Sequence, residues 1–104
     1  MTHDPLGPAA YIGEILAELA KTIDARAGDD PSASWTAKLL AGGPALTAKK
    51  LGEEGVEAAL AVASQSDGEV AKEAADVIYH LLVALRSRGV TLDQVAKVLA
   101  DRQG

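Results

Sequence analysis

Lys49-Lys50-Leu51-Gly52-Glu53-Glu54-Gly55-Val56-Glu57 and Lys72-Glu73-Ala74-Ala75-Asp76-Val77-Ile78-Tyr79-His80 are the two ends of the stretch that decides the fold. Both read as helix, and each carries a pair of acids three residues apart, Glu54 with Glu57 and Glu73 with Asp76. Residues three or four apart share one face of an α-helix. Counting at helical pitch puts Lys50, Glu54, Glu57 and Ala61 on one stripe, and Glu69, Glu73, Asp76 and His80 on another. The connection between the two helices is short, so they are expected to pack antiparallel, with the acid pairs able to face each other. Glu53 stands one step to the side of the first pair.

Working outward, the first helix is expected over about residues 9–26, where Ala9, Ile12, Ile15, Leu16, Leu19, Ala20 and Ile23 follow helical spacing. Gly28-Asp29-Asp30-Pro31 makes the turn after it. A short helix follows over about residues 34–41, capped by Ser32 or Ser34 and stopped by Gly42-Gly43-Pro44. Trp35 opens it, either as a hydrophobic anchor or as a ligand contact. The third helix is expected from about Leu46 to Ser64, closed by Ser66-Asp67-Gly68, and the fourth from about Glu69 to Arg88. Between Ala74 and Leu85 the fourth is apolar on nearly every side, the pattern of a helix buried on most of its surface. Gly89 ends it, and Thr91 caps a last helix that runs to about Arg102. Gly52 and Gly55 inside the third helix suggest either a close approach by a backbone or ligand, or plain tolerance of glycine. No strand-like alternation and no internal repeat interrupts this series. The expected fold is all-α: an antiparallel helical bundle with two long central helices carrying the acids.

At 104 residues the chain is expected to be one domain, spanning residues 1–104 with an ordered helical core over about 9–102. Its 48% hydrophobic content is misleading, because 21 residues are Ala, none is Phe, and only Tyr11, Trp35 and Tyr79 are aromatic. Small side chains fill little core volume, so the bundle is expected to be completed by oligomerisation, as a homodimer. There is no cysteine, which excludes disulfides, zinc thiolates and thiol nucleophiles. The start of the chain shows no charged-then-apolar leader pattern, and the most apolar run is too short to span a bilayer. A net charge of −5 with a pI near 4.8 argues against nucleic acid as a partner. The expectation is a cytoplasmic protein with no membrane partner.

Two carboxylates about 6 Å apart repel by roughly 3 kcal/mol at an effective dielectric of 20, and four compound the penalty. Ordinary solvated helix surface is how most glutamates are used, and it suits Glu69. It suits Asp76 poorly, since Ala75, Val77, Ile78 and Leu81 surround it in the sequence and an unpaired buried carboxylate is costly. A divalent cation held by Glu54, Glu57, Glu73 and Asp76 would compensate. Oxygen donors without thiolate suit Mg²⁺, with Mn²⁺ as a substitute. A di-iron bundle would call for Glu-x-x-His pairs, which are absent. Glu53, or a member of the acid pairs such as Glu54, is the candidate to handle an attacking water. Lys50 and Lys72 each lie four residues before an acid, so they form local ion pairs or contact phosphate; Lys38 is a second candidate for phosphate. His80, one turn after Asp76, either orients a carboxylate or sits satisfied in the core.

Three stretches together carry a resemblance: Ser34-Trp35-Thr36-Ala37-Lys38-Leu39-Leu40, the Lys49 to Glu57 run, and Lys72 through His80 extended by Leu81-Leu82-Val83. The Glu-x-x-Glu and Glu-x-x-Asp pairs resemble the MazG-like all-α nucleotide pyrophosphohydrolases. The flanking Lys-Lys-x-Gly-Glu-Glu and Asp-x-x-Tyr-His-Leu-Leu-Val runs resemble the phosphoribosyl-ATP pyrophosphatase family more closely, over about residues 11–98. Trp35 stands where that pattern has Tyr, and Gly55 where Ala is commoner. The resemblance implies Mg²⁺-dependent hydrolysis of phosphoribosyl-ATP to phosphoribosyl-AMP and pyrophosphate, the second step of histidine biosynthesis. It implies Glu54, Glu57, Glu73 and Asp76 as metal ligands, with Lys38, Lys50 and Trp35 as substrate contacts. The chain has no room for the cyclohydrolase that follows this domain in some relatives, so it reads as monofunctional. Two alternatives remain: a MazG-like house-cleaning hydrolase of nucleoside triphosphates, and a non-catalytic helical oligomer. Exposure of all four acids, pointing apart, would favour the last.

Overall fold

The structure is a computed structural model that describes the backbone from residue 9 to residue 104 and the side chains from residue 11. The leader expectation for residues 1–8 falls outside the described residues, and of Ala9 only the backbone is described. Five helices follow one another among the described residues: α1 (Ala9–Arg26), α2 (Trp35–Ala41), α3 (Gly43–Ser64), α4 (Asp67–Arg88) and α5 (Leu92–Gln103). No strand occurs among the described residues. The all-α expectation holds.

Each boundary has a local cause. Ser34 caps α2 by accepting a hydrogen bond from the Ala37 amide at 3.2 Å. The third helix starts three residues earlier than expected, because Pro44 fits a first turn, where no amide hydrogen is needed. Gly43 enters that turn at φ +72°, and a β-carbon on Gly42 would run into Leu46. Ser66-Asp67-Gly68 opens α4 and does not close α3: the Ser66 hydroxyl accepts from the Glu69 amide at 3.3 Å, with Asp67 and Glu69 in the first turn. Gly89, at φ +70°, lets the Val90 amide reach back to the Leu85 carbonyl at 3.0 Å and ends α4. Thr91 and Gln94 form a reciprocal capping box on α5.

Helices α3 and α4 form the main pairing, folded back on each other across Gln65 and Ser66. Helix α2 lies against both, and α1 packs on α4 and α2. Ile23, Leu39, Leu82 and Val83 are the buried centre, from α1, α2 and α4, with Leu16, Leu19, Leu46 and Ile78 packed around them. Polar links fix the register. Thr47 on α3 meets Ser87 on α4 at 2.9 Å, and Thr36 on α2 meets the Tyr79 hydroxyl at 2.5 Å. The Arg86–Asp24 pair at 3.0 Å ties α4 to α1, but both side chains are largely exposed, so it adds at most about 1 kcal/mol.

The fourth helix is less covered than its sequence suggests. Leu82 and Val83 are buried, but Ala74, Ala75 and Leu81 are exposed, and residues 76–80 are half-buried. The other helices among the described residues are too few to surround it. The same shortage leaves Val56, Leu60 and Val62 of α3 exposed, and Val98 and Leu99 of α5. Nor does any backbone approach Gly52 or Gly55, where a β-carbon would meet nothing within 4 Å. Within the chain, the tolerance reading of these glycines is the one that fits. Gly55→Ala is therefore expected to stabilise the folded chain by up to about 1 kcal/mol, through helix propensity alone. Urea denaturation would measure it, and a loss of stability would show that another molecule fills that space.

Candidate active site

The facing stripes of α3 and α4 bring Glu54, Glu57 and Glu73 together. One carboxylate oxygen from each lies within 4.8 Å of the other two, with Glu54 and Glu73 half-buried and Glu57 exposed. Oε2 of Glu54 and Oε2 of Glu73 are buried and have no hydrogen-bond partner. Carboxylates can only accept, so three of them in contact satisfy one another only through a shared proton or a bound cation. Asp76 is half-buried too, yet it stands outside this trio. It is still close enough to raise the proton affinity of both Glu54 and Glu73. The acids do not splay apart as solvated surface would.

The electrostatics record the crowding. Burial, first, and then the Glu57 charge push the carboxyl of Glu54 above the ordinary glutamate range, with His80 pulling it partly back. Burial and then Glu57, Asp76 and Glu54 push Glu73 the same way. A carboxyl raised on folding makes the folded state bind more protons than the unfolded chain. Its penalty is therefore present above the raised value and is relieved as pH falls through the glutamate range. Asp30 runs the other way: its bonds to the Ser32 amide and hydroxyl lower it, so its contribution is lost as pH falls through the aspartate range below. Without divalent cations, melting is expected to rise on acidification from neutral pH to the top of the glutamate range. A melting series in chelator would check this, and a steady fall across that window would contradict it.

The basic residues fall into an order that the sequence did not give. Lys50 Nζ pairs with Glu53 Oε1 at 3.5 Å and not with Glu54, four residues on. Lys72 forms no ion pair with Asp76 among the described residues, so the local-pair reading fails there. Lys38 Nζ and Lys50 Nζ lie 5.8 and 5.9 Å from the centre of the Trp35 ring. Trp35 itself is 51% exposed, which rules out a buried anchor within the chain. Glu53 is exposed beside this trio and does not join the acid cluster. His80 makes a 2.8 Å contact from Nδ1 to the Asp76 main-chain carbonyl, so that nitrogen donates and does not hold a carboxylate. Its ring stands edge-on to Tyr79, 5.0 Å between centres. The contact between Thr36 and Tyr79, which joins α2 to α4, is not legible in the sequence, although both residues lie in the runs that carry the resemblance.

Glu57 and Glu73, with Leu60 and Gln65, line an open cleft of about 320 Å³. A larger cavity of about 360 Å³ lies between α1, α4 and the start of α5, lined mostly by Ala20, Ile23, Leu82, Leu85 and Val90. None of the clustered acids reaches it, so chemistry and not volume marks the site.

Fold and cluster together define a class: an all-α protein with its acids carried on an antiparallel helix pair. A family model described as phosphoribosyl-ATP pyrophosphohydrolase matches residues 16–103. Proteins named phosphoribosyl-ATP pyrophosphatase are close in sequence. That of Cereibacter sphaeroides is 53% identical over 90 residues, covering 86% of this chain and 87% of its own. Those of Ruegeria pomeroyi and Caulobacter vibrioides are each 52% identical, covering 86% and 88% of this chain and 86% and 84% of their own. The chain belongs to the phosphoribosyl-ATP pyrophosphohydrolase family. No helix among the described residues is long and apolar enough to cross a membrane.

Proposed function

We propose that this chain hydrolyses phosphoribosyl-ATP at the α–β phosphoanhydride, giving phosphoribosyl-AMP and pyrophosphate, the second step of histidine biosynthesis. The observation that carries the reading is the convergence of Glu54, Glu57 and Glu73, with two buried, unpartnered oxygens, in a member of this family. The all-oxygen donor set and those orphaned atoms fit Mg²⁺, with Mn²⁺ as a substitute. Glu54, Glu57 and Glu73 would hold it, and Asp76 would join them. When bound, Mg²⁺ neutralises phosphate oxygens and the surplus charge of the acids.

The chain's own residues do the rest. Water attacks at the α–β anhydride, gives its proton to a carboxylate, and pyrophosphate leaves. Glu53 or Glu54 takes that proton; Glu53 is exposed and tied to Lys50, which leaves Glu54, on the stripe of the clustered acids, as the better placed of the two. The charge of His80 offsets part of the upward push on Glu54. Lys38, Lys50 and Trp35 contact the substrate. The helices from Ala9 to Gln103 work as one domain in the cytoplasm, where such a charged nucleotide is confined. The exposed apolar residues of α3, α4 and α5 are covered in a homodimer, which the small single-chain core supports.

Pyrophosphate release from phosphoribosyl-ATP, with Mg²⁺ and with chelator, tests the reading against a panel of nucleoside triphosphates. Release from phosphoribosyl-ATP that needs Mg²⁺ is expected. Release from the panel alone would make the chain a house-cleaning hydrolase, and none from either would make it a non-catalytic module. Light scattering at low concentration tests the dimer.

A further inference from the structure

We propose that Lys38, Lys50 and Trp35 clamp the departing pyrophosphate, and that Glu53 is a positioning residue that holds Lys50 in this clamp. The proposal rests on the hydrolytic reading above. Two ammonium groups, one from α2 and one from α3, gather around a single indole, 5.8 and 5.9 Å from its centre. Both are cations without a strong counter-charge at the ring, since a cation–π contact at an exposed site is weak. An anion that reaches either of them adds a charge-assisted contact. Lys50 is held from a second side by Glu53 Oε1 at 3.5 Å, so its side chain is placed before any ligand arrives.

Position selects the anion. Lys50 precedes Glu54 by four residues, on the same face and about 6 Å along the helix axis. A phosphate beside the acids therefore has its neighbours in the polyphosphate chain within one turn of Lys50. The acids receive phosphate only through a cation, whereas ammonium groups receive it directly. Negative charge builds on the leaving diphosphate as the anhydride breaks, and fixed cations there favour the transition state over the bound substrate. The clamp is thus an electrostatic counterpart to the acid cluster, on the leaving-group side.

Trp35 is the one tryptophan in the chain, so its fluorescence reads the clamp directly. Inorganic pyrophosphate added with Mg²⁺ to the full chain is expected to change the emission and saturate, while AMP leaves it unchanged. Lys38→Met and Lys50→Met should each weaken the pyrophosphate response about tenfold or more, the scale of one charge-assisted contact, and Lys50→Arg should restore most of it. Glu53→Gln should weaken it several-fold, with partial recovery in Glu53→Asp. Inhibition of turnover by pyrophosphate should move by the same factors, and inhibition by AMP should not. A response to AMP and not to pyrophosphate overturns the clamp and moves the trio to the nucleoside end. No response to either, in a chain that turns over phosphoribosyl-ATP, overturns it as well. Loss of turnover in Glu53→Gln with unchanged pyrophosphate binding would make Glu53 a proton acceptor and refute its positioning role. Should the wild-type chain fail to turn over phosphoribosyl-ATP, the hydrolytic reading falls, and pyrophosphate binding alone decides the clamp.

Discussion

Glu57→Gln is expected to lower turnover of phosphoribosyl-ATP by about a thousandfold or more, on the scale of losing a group that organises charge in a transition state. The same substitution should make the cation-free chain more stable. Glu57 is the member of the cluster that raises both Glu54 and Glu73, and it is the exposed one. Replacing its charge with an amide removes repulsion from two neighbours and supplies a donor for their unpartnered oxygens. Activity and stability then move in opposite directions, the pattern of a site whose charges are assembled for a ligand and not for the fold. Thermal melting in chelator reads the stability gain, and melting with added Mg²⁺ reads the loss of cation binding. An unchanged rate would remove Glu57 from the metal set. An unchanged rate together with lower stability would make the cluster structural.

The helices and the facing stripes were legible because both depend on local rules. Glu54 and Glu57, and Glu73 and Asp76, lie on their faces by helical pitch alone, and the short connection at Gln65 and Ser66 leaves antiparallel packing as the only route. Spacing could not rank the four acids. Which carboxylates converge depends on the roll of α3 against α4, set by the Thr47–Ser87 contact and the buried Leu82 and Val83. The apolar neighbours of Asp76 imply burial, yet Val77 and Ile78 are only half covered in one chain, and Ala75 and Leu81 are exposed. The Lys50–Glu53 pair was missed for a different reason. Both Glu53 and Glu54 are in reach of a lysine three or four residues earlier, so spacing alone does not choose between them, and Trp35 beside Lys50 comes from another helix. Contacts between elements were the part hidden from the sequence.

One such contact has the largest expected effect on the fold. Leu39→Ala should cost about 2–5 kcal/mol, the range for emptying a fully buried leucine site. Leu39 has no exposed surface and packs with Ile23 of α1 and with Leu82 and Val83 of α4. Helix α2 has seven residues, too short to persist without its packed face. Against a total stability of about 5–15 kcal/mol for a domain, the loss is severe in a chain with so few large buried side chains. The effect on the site should exceed the effect on the rest of the fold, because α2 carries Trp35 and Lys38, while the acids stand on α3 and α4. At temperatures where the Leu39→Ala chain remains helical, the response of Trp35 to pyrophosphate should be lost before the stabilisation by Mg²⁺ is. Leu39→Met, which keeps the volume, should cost less than about 1.5 kcal/mol and keep both. Parallel loss of the two ligand responses would mean that α2 and the acid-bearing pair unfold as one unit. Their separation would show that α2 is the joint through which core packing controls the lysine side of the site.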